Sequence, residues 1–405
     1  MSSRIAIITS NYWPEQTGIS RTSTDLAEYF AAHDAQVTVA TAMPYYPEWR
    51  VYEAYRKRLF ARESHGGVEI LRAWHFVRPA PSTLGRLLHE LTLAAASIPN
   101  VLRAVRRANA VYVVTPMLSL AFVAVLCTRI LGKRPILVVQ DVMPDAAVEL
   151  GMLRNKGMIA LSRWMARVCY RAAREIHTLG EGMMRRIVNN GGNPATTRVV
   201  PVTVDLAELS APSGENDFRR QFCRPGQLAV LHTGNMGKKQ DLGLVLDTAA
   251  LLAGEPDVHF FVFGDGAVRE EFLKRREDLG LHNVSHYPLQ ERALLPHMLV
   301  GADIVLVSQL PEMTDIAVPS KLITAMAAGA FVVAACSSDS ETARIVERSQ
   351  GGIVIPPSDP HAFVRTIHAL RSGSINPSAY RARARAHAAQ QYDRDKVYGP
   401  LTRAT

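Results

Sequence analysis

The stretch Leu228-Ala-Val-Leu-His-Thr-Gly-Asn-Met-Gly-Lys-Lys-Gln240 leads from an apolar run directly into a loop of small and basic residues. Two further loops have the same setting, Phe263-Gly-Asp-Gly266 after Val258–Val262 and Ala317-Val-Pro-Ser-Lys321 after Ile304–Val307. Each loop precedes a helical pattern, and strands that alternate with helices form parallel sheets. All three loops are therefore predicted at the carboxyl ends of parallel strands, where open α/β sheets bind their ligands.

The same alternation continues along the whole chain and predicts an α/β fold of two Rossmann-like, doubly wound parallel-sheet domains facing one another across a cleft. The length of 405 residues suits two domains of about 200 residues. A polar stretch, Asp205–Pro225, marks the boundary between them. We predict an N-terminal domain over residues 1–205 and a C-terminal domain over 206–376. Residues 377–405 are predicted as a C-terminal helix, Pro377–Gln391, that could cross back onto the first domain.

Periodicity places the individual elements. The predicted strands of the first half are Ile5–Thr9, Gln36–Ala40, Val68–Trp74, Ala110–Val114, Ile136–Val139, Glu175–Thr178 and Arg198–Val200. Its clearest helices are Gly18–Ala32, Leu84–Arg107 and Lys156–Ala172. In the second half we expect strands near Leu228, His259, Val284, Ile304, Phe331 and Ile353.

Composition narrows the class of protein. The four cysteines lie far apart without a C-x-x-C pair, which favours reduced thiols in a cytoplasmic protein and argues against structural zinc. The N-terminus runs straight into a strand, so no signal peptide is predicted. The longest apolar stretch, Pro116–Leu131, is too short for a membrane span and is expected to be a buried helix.

The excess of positive over negative charge is confined to the first half. Residues 1–205 hold 25 Lys and Arg against 15 Asp and Glu, whereas the rest holds 21 against 22. Apolar stretches such as Leu87–Pro99 lie between the basic residues, a combination that fits an anionic membrane surface or a phosphorylated lipid. A merely solvated basic face is the alternative. No nucleic-acid-binding signature accompanies the charge, so nucleic acid is not expected as a partner. The densest basic positions are Arg56, Lys57, Arg58, Arg62, Arg72, Arg78, Arg86, Arg103, Arg106 and Arg107.

The three loops of the second half predict a site for an anion, inferred to be a diphosphate. Gly234 and Asn235 allow a ligand close to the backbone, the following helix offers unpaired N–H groups, and Lys239 supplies a full charge. Lys321 stands in the first turn of a helix, where acids are usually preferred, which indicates an anion nearby. The alternatives are an ordinary turn with solvated lysines and, for Gly264-Asp265-Gly266, a glycine turn needed only for its geometry.

Other positions carry further predictions. Pro319 and Ser320 open the helix of Lys321, with Ser320 as its expected N-cap. Gly264-Asp265-Gly266 lacks the third glycine of a dinucleotide-binding fingerprint, which disfavours a nicotinamide dehydrogenase. In the first half, Gly18 could admit a ligand to a helix N-terminus. Asp141 and Asp145 follow a strand and could orient an attacking hydroxyl or accept its proton, unless they only cap helices.

These residues resemble those of the family-four glycosyltransferases, which have the GT-B fold, and most of all the branch of colanic-acid, other exopolysaccharide and O-antigen clusters. The similarity covers nearly the whole chain, and its Pro-Tyr-Tyr-Pro and Pro-Ser-Lys elements are specific. The matching segments are Tyr12-Trp-Pro-Glu-Gln-Thr-Gly-Ile19, Met43-Pro-Tyr-Tyr-Pro-Glu-Trp49, Pro81-Ser-Thr-Leu84, Val139-Gln-Asp141, Thr233-Gly-Asn235 with Lys239-Gln240, and Val318-Pro-Ser-Lys-Leu322.

The resemblance implies retaining transfer of a sugar from a UDP- or GDP-linked donor to a polyprenyl-diphosphate-linked saccharide, with no metal and no other cofactor. It implies a cytoplasmic protein bound peripherally to the inner membrane, with the acceptor in the N-terminal domain and the donor in the C-terminal domain. The residues expected to act in catalysis are Lys239, Lys321, Asp141 and Asp145. Those expected to bind the donor are Gly18, Gly234, Asn235, Gly264, Asp265, Gly266, Leu289, Asp315, Pro319, Ser320 and Thr324. Those expected to bind the acceptor are Glu15, Tyr45 and Tyr46.

The sequence departs from the family pattern in two places. The arginine that usually precedes the phosphate-binding lysine is replaced near Asn235, and the usual pair of glutamates is replaced by Ile316 and Thr324. Two alternatives stay open at this point. One is a nucleotide-sugar 2-epimerase that does not hydrolyse its substrate, and the other is a non-catalytic partner that binds nucleotide sugar or lipid.

Overall fold

The computed structural model describes residues 3–15, 18–79, 81–149, 151, 153–210, 214–312 and 319–404. The chain forms two compact units. The first unit is Met1–Pro201 together with Tyr398–Thr405, and the second unit is Val202–Val397. Each contains one largely parallel sheet with helices between its strands, as the sequence predicts.

The first unit has an eight-stranded sheet. Its strands are β1 (Arg4–Ile8), β2 (Gln36–Ala42), β3 (Phe60–His65), β4 (Val68–Ala73), β5 (Ala110–Val114), β6 (Ile136–Val139), β7 (Glu175–Thr178) and β8 (Thr197–Val199). They lie in the order β3-β4-β2-β1-β5-β6-β7-β8, and only β3 runs antiparallel to its neighbour. The sequence analysis missed β3, because this edge strand has no buried residue and therefore no apolar run.

The helices of the first unit follow the prediction with one correction. They are α1 (Ile19–Ala32), α2 (Thr83–Ala96), α3 (Ile98–Arg107), α4 (Leu118–Ile130), α5 (Asp145–Glu149), α6 (Lys156–Ala172) and α7 (Glu181–Asn189), with a 3-10 turn at Glu53–Tyr55. The single helix predicted over Leu84–Arg107 is two helices, α2 and α3. Pro99 stands in the first turn of α3, where its missing N–H is tolerated, and the break falls just before it.

The second unit has a six-stranded sheet whose strands are all parallel. They are β9 (Leu228–Thr233), β10 (Val258–Phe263), β11 (Val284–Tyr287), β12 (Ile304–Ser308), β13 (Val332–Ala335) and β14 (Gly352–Ile355). Their order is β11-β10-β9-β12-β13-β14. The order reverses between β9 and β12, so these two strands form the topological switch point. The central strands β10, β12 and β13 are buried along their whole length.

The helices of the second unit are α8 (Asp217–Phe222), α9 (Gly243–Leu251), α10 (Arg269–Asp278), α11 (Leu295–Gly301), α12 (Ser320–Ala328), α13 (Glu341–Ser349), α14 (Pro360–Arg371) and α15 (Pro377–Gln391), with a 3-10 turn at Arg292–Leu294. The C-terminal segment 377–405 was predicted to hold one helix, but α16 (Arg394–Ala404) follows α15. Asp393 separates the two helices, and its side chain accepts a hydrogen bond from the amide of Lys396 at 3.2 Å. Within this C-terminal segment, α15 belongs to the second unit, and only the residues from Tyr398 onward belong to the first unit.

The apolar stretch Pro116–Leu131 contains α4, a helix between two strands, as predicted. The expectation that it is buried holds only in part, because Leu126 and Ile130 are exposed. In the ranges that the structure covers, we find no helix with both the length and the apolar character needed to cross a membrane. All four cysteines are free thiols.

Candidate functional site

The loops after β9 and β10 meet at the carboxyl edge of the second sheet, and Lys321, from the described end of the third predicted loop, reaches the loop after β9. The amide of Gly234 donates to the carbonyl of Phe263 at 2.9 Å, and the amide of Met236 donates to the carbonyl of Asp265 at 2.8 Å. The amide of Leu310, just beyond β12, donates to the carbonyl of Lys239 at 3.2 Å. The loop after β9 is therefore fixed to the ends of both neighbouring strands at the switch point, where doubly wound sheets bind ligands.

Two of the glycines allow these loops to pack together. A Cβ atom on Gly264 would lie 1.9 Å from the carbonyl oxygen of Gly234. One on Gly266, whose φ is +153°, would lie 2.6 Å from the Asn235 Oδ1 atom and 2.6 Å from the Met236 carbonyl oxygen. The space beside both glycines is filled by the neighbouring loop, so their first role is the close approach of the two backbones.

Lys321 reaches from the first turn of α12 into the loop after β9. Its Nζ atom donates to Oε1 of Gln240 at 2.8 Å and lies 3.4 Å from Nε2 of His232. Its Cε atom lies 4.0 Å from the position of a Cβ on Gly234, whose φ is +111°. Burial lowers the pKa of Lys321 to about 7. The ammonium group has lost much of its hydration at this position, so a bound anion would stabilise its charged form.

His232 stands at the end of β9 and is 1% exposed. Burial, and next the positive charge of Lys321, hold the pKa of this imidazole well below its usual range, so it is neutral. Within the described residues its Nδ1 atom has no hydrogen-bond partner. Since a neutral imidazole accepts through only one nitrogen, the contact with Lys321 assigns the proton to Nδ1.

The N-terminus of α12 corrects one prediction. Ser320 is the first residue of the helix, and Pro319 is its N-cap, with φ −72° and ψ 113°. Proline offers no side-chain acceptor for the helix amides, and α12 has no acidic residue in its first turn. The positive end of the helix dipole is therefore not compensated by these residues. Asp315, predicted to contact the donor just before this helix, lies outside the described residues.

The remaining predicted donor residues line the same edge at different depths. Asn235 is exposed, and Lys239 is half-buried. Asp265 is also exposed, and its carboxylate accepts from the amide of Gly266 at 2.7 Å. The hydroxyl of Thr324 donates to the carbonyl of Ser320 at 3.0 Å, one turn back along α12. Leu289 is 47% exposed, two residues beyond the end of β11.

In the first unit, Glu15 organises the turn that holds both predicted tyrosines. Its Oε1 atom accepts from the amides of Tyr45 at 2.7 Å and Tyr46 at 2.8 Å, and its Oε2 atom accepts from Asn11 Nδ2 at 2.9 Å. Burial raises the pKa of Glu15, and the bonds from the two amides oppose that rise. Tyr45 is buried with its hydroxyl 3.2 Å from His89 Nε2, whereas Tyr46 is partly exposed. Glu15 therefore positions these tyrosines through their backbone.

Gly18, Asp141 and Asp145 also follow strands of the first unit. Gly18 is the N-cap of α1 with φ +63°, and no described atom lies within 4 Å of a Cβ built there. Asp145 begins α5, accepts from Asn190 Nδ2 at 2.8 Å and lies 3.5 Å from Arg163. Asp141 follows β6 and is partly exposed beside it.

Sequence reasoning did not single out His232 and Gln240, the two partners of Lys321. They are 89 and 81 residues away from it along the chain. Their only signal was their place in the loop that carries Lys239. In the described ranges, no group of three or more His, Cys, Asp or Glu side chains is arranged to hold a metal ion.

Comparison with known proteins assigns the chain to a family. The family model described as "Glycosyl transferase 4-like domain" matches residues 17–203, and the model described as "Glycosyl transferases group 1" matches residues 227–372. WcaI of Escherichia coli (strain K12), a glycosyl transferase assigned to colanic acid biosynthesis, is 29% identical over an alignment of 402 positions that covers 97% of each chain.

Solved structures share the fold across the full length. HepE of Anabaena, crystallised in complex with UDP, has a TM-score of 0.75 at 15% identity, over 99% of both chains. WaaG, a glycosyltransferase involved in lipopolysaccharide biosynthesis, has a TM-score of 0.68 at 16% identity, again over 99% of both chains. With both of its units matched by the models of this enzyme class, the chain is a family-four glycosyltransferase with the GT-B fold.

Proposed function

We propose that this enzyme takes a sugar from a nucleoside diphosphate sugar, UDP- or GDP-linked, and transfers it with retention to a polyprenyl-diphosphate-linked saccharide. The observation that carries the proposal is the placement of Lys321, whose ammonium group sits at the switch point beside the N-terminus of α12. A partly buried cation next to a helix whose N-cap residue offers no side-chain acceptor favours an anion there, and a diphosphate is the anion that the transfer releases.

In this mechanism the charge that grows on the departing diphosphate is met by groups that are already in place. Lys321 and the first amides of α12 act on its oxygens, and Lys239 adds charge from the loop after β9. The attacking hydroxyl approaches from the side that the leaving group vacates, so the anomeric configuration is kept. Electrostatic stabilisation of this kind is usually the largest single contribution to such a step.

The acceptor is assigned to the first unit. Tyr46 is the candidate to contact it, while Glu15 and Tyr45 hold the turn in shape. Gly18, at the N-cap of α1, remains a candidate contact of the donor. Asp141 and Asp145 are both candidates to accept a proton, and the carboxylate of Asp145 is held in place by Asn190 and Arg163. We assign the product to surface polysaccharide, on the basis of the similarity to WcaI and WaaG.

Peripheral contact with an anionic membrane, at the cytoplasmic face of the inner membrane, is part of the proposal. The outer face of α2 exposes leucines at helical spacing, with Leu84 65% and Leu91 53% exposed. α2 packs against α4, and α4 packs against α6, so their outer faces are neighbours. Apolar side chains with basic residues and few acids suit anionic headgroups. The other exposed apolar residues on these helices are Leu87, Leu88, Leu126, Ile130, Met158, Leu161 and Trp164. The basic residues are Arg86, Arg129, Lys156, Arg163, Arg167 and Arg171, and the one acidic residue is Glu90.

The test is a donor screen with the whole enzyme. UDP- and GDP-sugars are incubated with extracted membrane lipids, and both nucleotide release and a lengthened lipid glycan are followed. We expect one donor class to give both signals together. Nucleotide release that does not depend on lipid would indicate a soluble acceptor, and interconversion of donor sugars without transfer would indicate an epimerase instead.

The matched variant is Lys321→Met, with Lys274→Met on the exposed side of α10 as its control. Removing one group that stabilises developing charge costs on the order of a hundredfold in rate. Lys321→Met is therefore expected to lose about that factor at saturating donor, while the control keeps the parent rate. A parent rate in Lys321→Met would remove the basis of the proposal.

A further inference from the structure

Lys321 is held by two neutral side chains. Its Nζ atom donates to the amide oxygen of Gln240 at 2.8 Å and lies 3.4 Å from the imidazole of His232. No carboxylate among the described residues forms an ion pair with it. A glutamate at position 240 could accept the same hydrogen bond, so with an amide there the charge of Lys321 is not compensated by any described side chain.

The described acidic groups on the surrounding elements have other partners. Asp241, on the same loop as Gln240, accepts from Ser358 Oγ at 2.7 Å and from the amide of Leu244 at 3.4 Å. Asp265, on the turn after β10, accepts from the amide of Gly266 and pairs with Arg269 Nε at 3.9 Å. The other ionisable groups nearby, among the described residues, are Lys238 and Lys239 on the loop after β9, His286 in β11 and the exposed Glu312 after β12, while Asp315 lies outside the described residues.

His232 occupies its position at a cost. The imidazole is buried, and apolar side chains such as Val230, Val245 and Leu306 surround the same small cavity. Its Nε2 atom faces Lys321, which leaves the Nδ1–H group without an acceptor among the described residues. An unpaired buried donor destabilises the fold, so an apolar residue of similar size would be the more stable choice.

We infer that His232 and Gln240 are positioning residues for donor binding, which hold the Lys321 ammonium group toward the diphosphate without neutralising it. The inference rests on the proposed function, because it takes the anion at this site to be the donor diphosphate. In this arrangement the fold is less stable than it could be, and the Lys321 ammonium group has no described counter-charge until the anion binds. The low pKa of Lys321, about 7 through burial, is what an uncompensated charge in this place gives.

The decisive variant is Gln240→Glu, which changes an amide to a carboxylate of the same shape. The new carboxylate still accepts from Lys321, but it cancels its charge and repels the diphosphate. We expect UDP and GDP, measured by titration calorimetry on the whole enzyme, to bind at least about tenfold more weakly, a difference of about 1.4 kcal/mol. Gln391→Glu, at the exposed end of α15, adds the same charge to the second unit and should bind as the parent does.

A pH series separates positioning from simple repulsion. In the parent, nucleotide binding should weaken as pH rises from about 7 to 9, because Lys321 loses its proton above a pKa of about 7. In Gln240→Glu the adjacent carboxylate raises that pKa, so this weakening should disappear from the same range. A purely structural role for Gln240 predicts parent affinity and a parent pH profile, and that result would overturn the inference.

His232→Leu supplies a second, independent readout. Replacing the unpaired imidazole by an apolar side chain should raise the unfolding midpoint and at the same time weaken UDP and GDP binding several-fold. If stability and affinity both fell, His232 would be a structural residue. Lys321→Met separates the two levels of the argument: parent affinity in that variant would overturn the donor site itself. Loss of affinity in Lys321→Met with parent affinity in both Gln240→Glu and His232→Leu would overturn only the positioning roles.

Discussion

Lys321 combines a positive charge, partial burial and a place in the first turn of a helix, a position where cations are usually unfavourable. Its pKa of about 7 lies below the value of about 10.4 for an unfolded chain. Between these two values the unfolded state holds a proton that the folded state has released. The free energy of unfolding contributed by this residue therefore rises with pH across that window.

The first prediction concerns this rise. In the absence of nucleotide, the parent should gain stability from about pH 7 to pH 9, by up to about 1 kcal/mol per pH unit after allowance for partial exposure. Lys321→Met should flatten that dependence, whereas Lys238→Met, an exposed lysine on the loop after β9, should keep it. Urea unfolding at three pH values measures it. Identical slopes in the parent and Lys321→Met would contradict the burial of this charge.

The second prediction concerns the contact between two backbones. In Gly264→Ala the new methyl group would overlap the carbonyl oxygen of Gly234, 1.9 Å away, so the loop after β9 must shift. We expect a loss of about 1–3 kcal/mol in unfolding free energy together with weaker nucleotide binding. Gly254→Ala is the matched control, since nothing lies within 4 Å of its Cβ position. Thermal unfolding and nucleotide titration of both variants would decide, and equal behaviour would show that the contact is not required.

At this scale the sequence predicted the residue types that stand alone in a pattern. Lys321, Gly264 and Gly266 could be singled out because a basic residue at a helix start and glycines after a strand are visible locally, and their roles in the site stay predictions. His232 and Gln240 were not singled out, because their contacts with Lys321 join side chains that lie more than eighty residues apart in the sequence. No local periodicity encodes such a contact. Ser320 was mistaken for the N-cap for a related reason: one residue of register separates it from Pro319.

At the level of secondary structure, helix α2 carries apolar side chains on its exposed face, which favours contact with another surface. Its buried face is made of Gly85, His89, Leu93 and Ala94, while Leu84, Leu88 and Leu91 point outward. Exposed leucines at i, i+4 and i+7 form an apolar stripe along the helix surface. Insertion of such a stripe, with arginines beside it, into the headgroup region of a membrane is favourable in free energy.

The third prediction tests that stripe. The combined change of Leu84, Leu88 and Leu91 to Ser should weaken binding to phosphatidylglycerol-containing vesicles by tenfold or more, at about 0.8 kcal/mol per CH2 withdrawn from water. Because these side chains are exposed, the unfolding midpoint should stay near that of the parent. Leu279→Ser, an exposed leucine in the second unit, is the control. Vesicle sedimentation measures the effect, and parent binding by the triple variant would exclude this face.

Elements were predictable where burial left an apolar run. Strands β5, β6 and β7 have the bounds expected from the sequence, because their residues are almost wholly buried between helices. Strand β3 was missed because it lies at the edge of its sheet and exposes its side chains. The break between α2 and α3 follows from Pro99, a signal that was present in the sequence but outweighed by continuous helical periodicity.

For the whole molecule, the unequal charge of its two halves is expected to affect both the rate and the strength of binding to anionic surfaces. Residues 1–205 carry the excess of basic over acidic side chains, and the remainder is close to neutral. If the proposed membrane contact exists, this positive first half should draw the enzyme to anionic surfaces over a distance that salt controls.

The fourth prediction is therefore a salt dependence. Vesicle binding should fall steeply when salt is raised from about 0.1 M to about 1 M, since the screening length drops from about 10 Å to about 3 Å. The triple leucine variant should retain the same relative salt dependence, because it keeps every arginine. Flotation with anionic and zwitterionic vesicles provides the measurement. Salt-insensitive binding to zwitterionic vesicles would point to apolar insertion alone.

The limits of prediction at this scale follow from the chain path. Two α/β halves could be predicted from alternating elements, and their approximate boundary from a polar stretch, because each half repeats the same pattern of a strand followed by a helix. The final segment could not, because its assignment depends on which surface its residues pack against. α15 was correctly bounded from its composition, yet α16 behind it was not foreseen.

That last helix changes how the polypeptide should be handled. Tyr398 is buried, and its ring meets Tyr29 of α1 with the centroids 5.3 Å apart, although more than three hundred and sixty positions separate them in sequence. The second unit is thus an insertion into the first, entered after Pro201 and left before Tyr398. Trimming a few residues from the far end would injure the N-terminal unit rather than its neighbour, and affinity handles are better placed elsewhere.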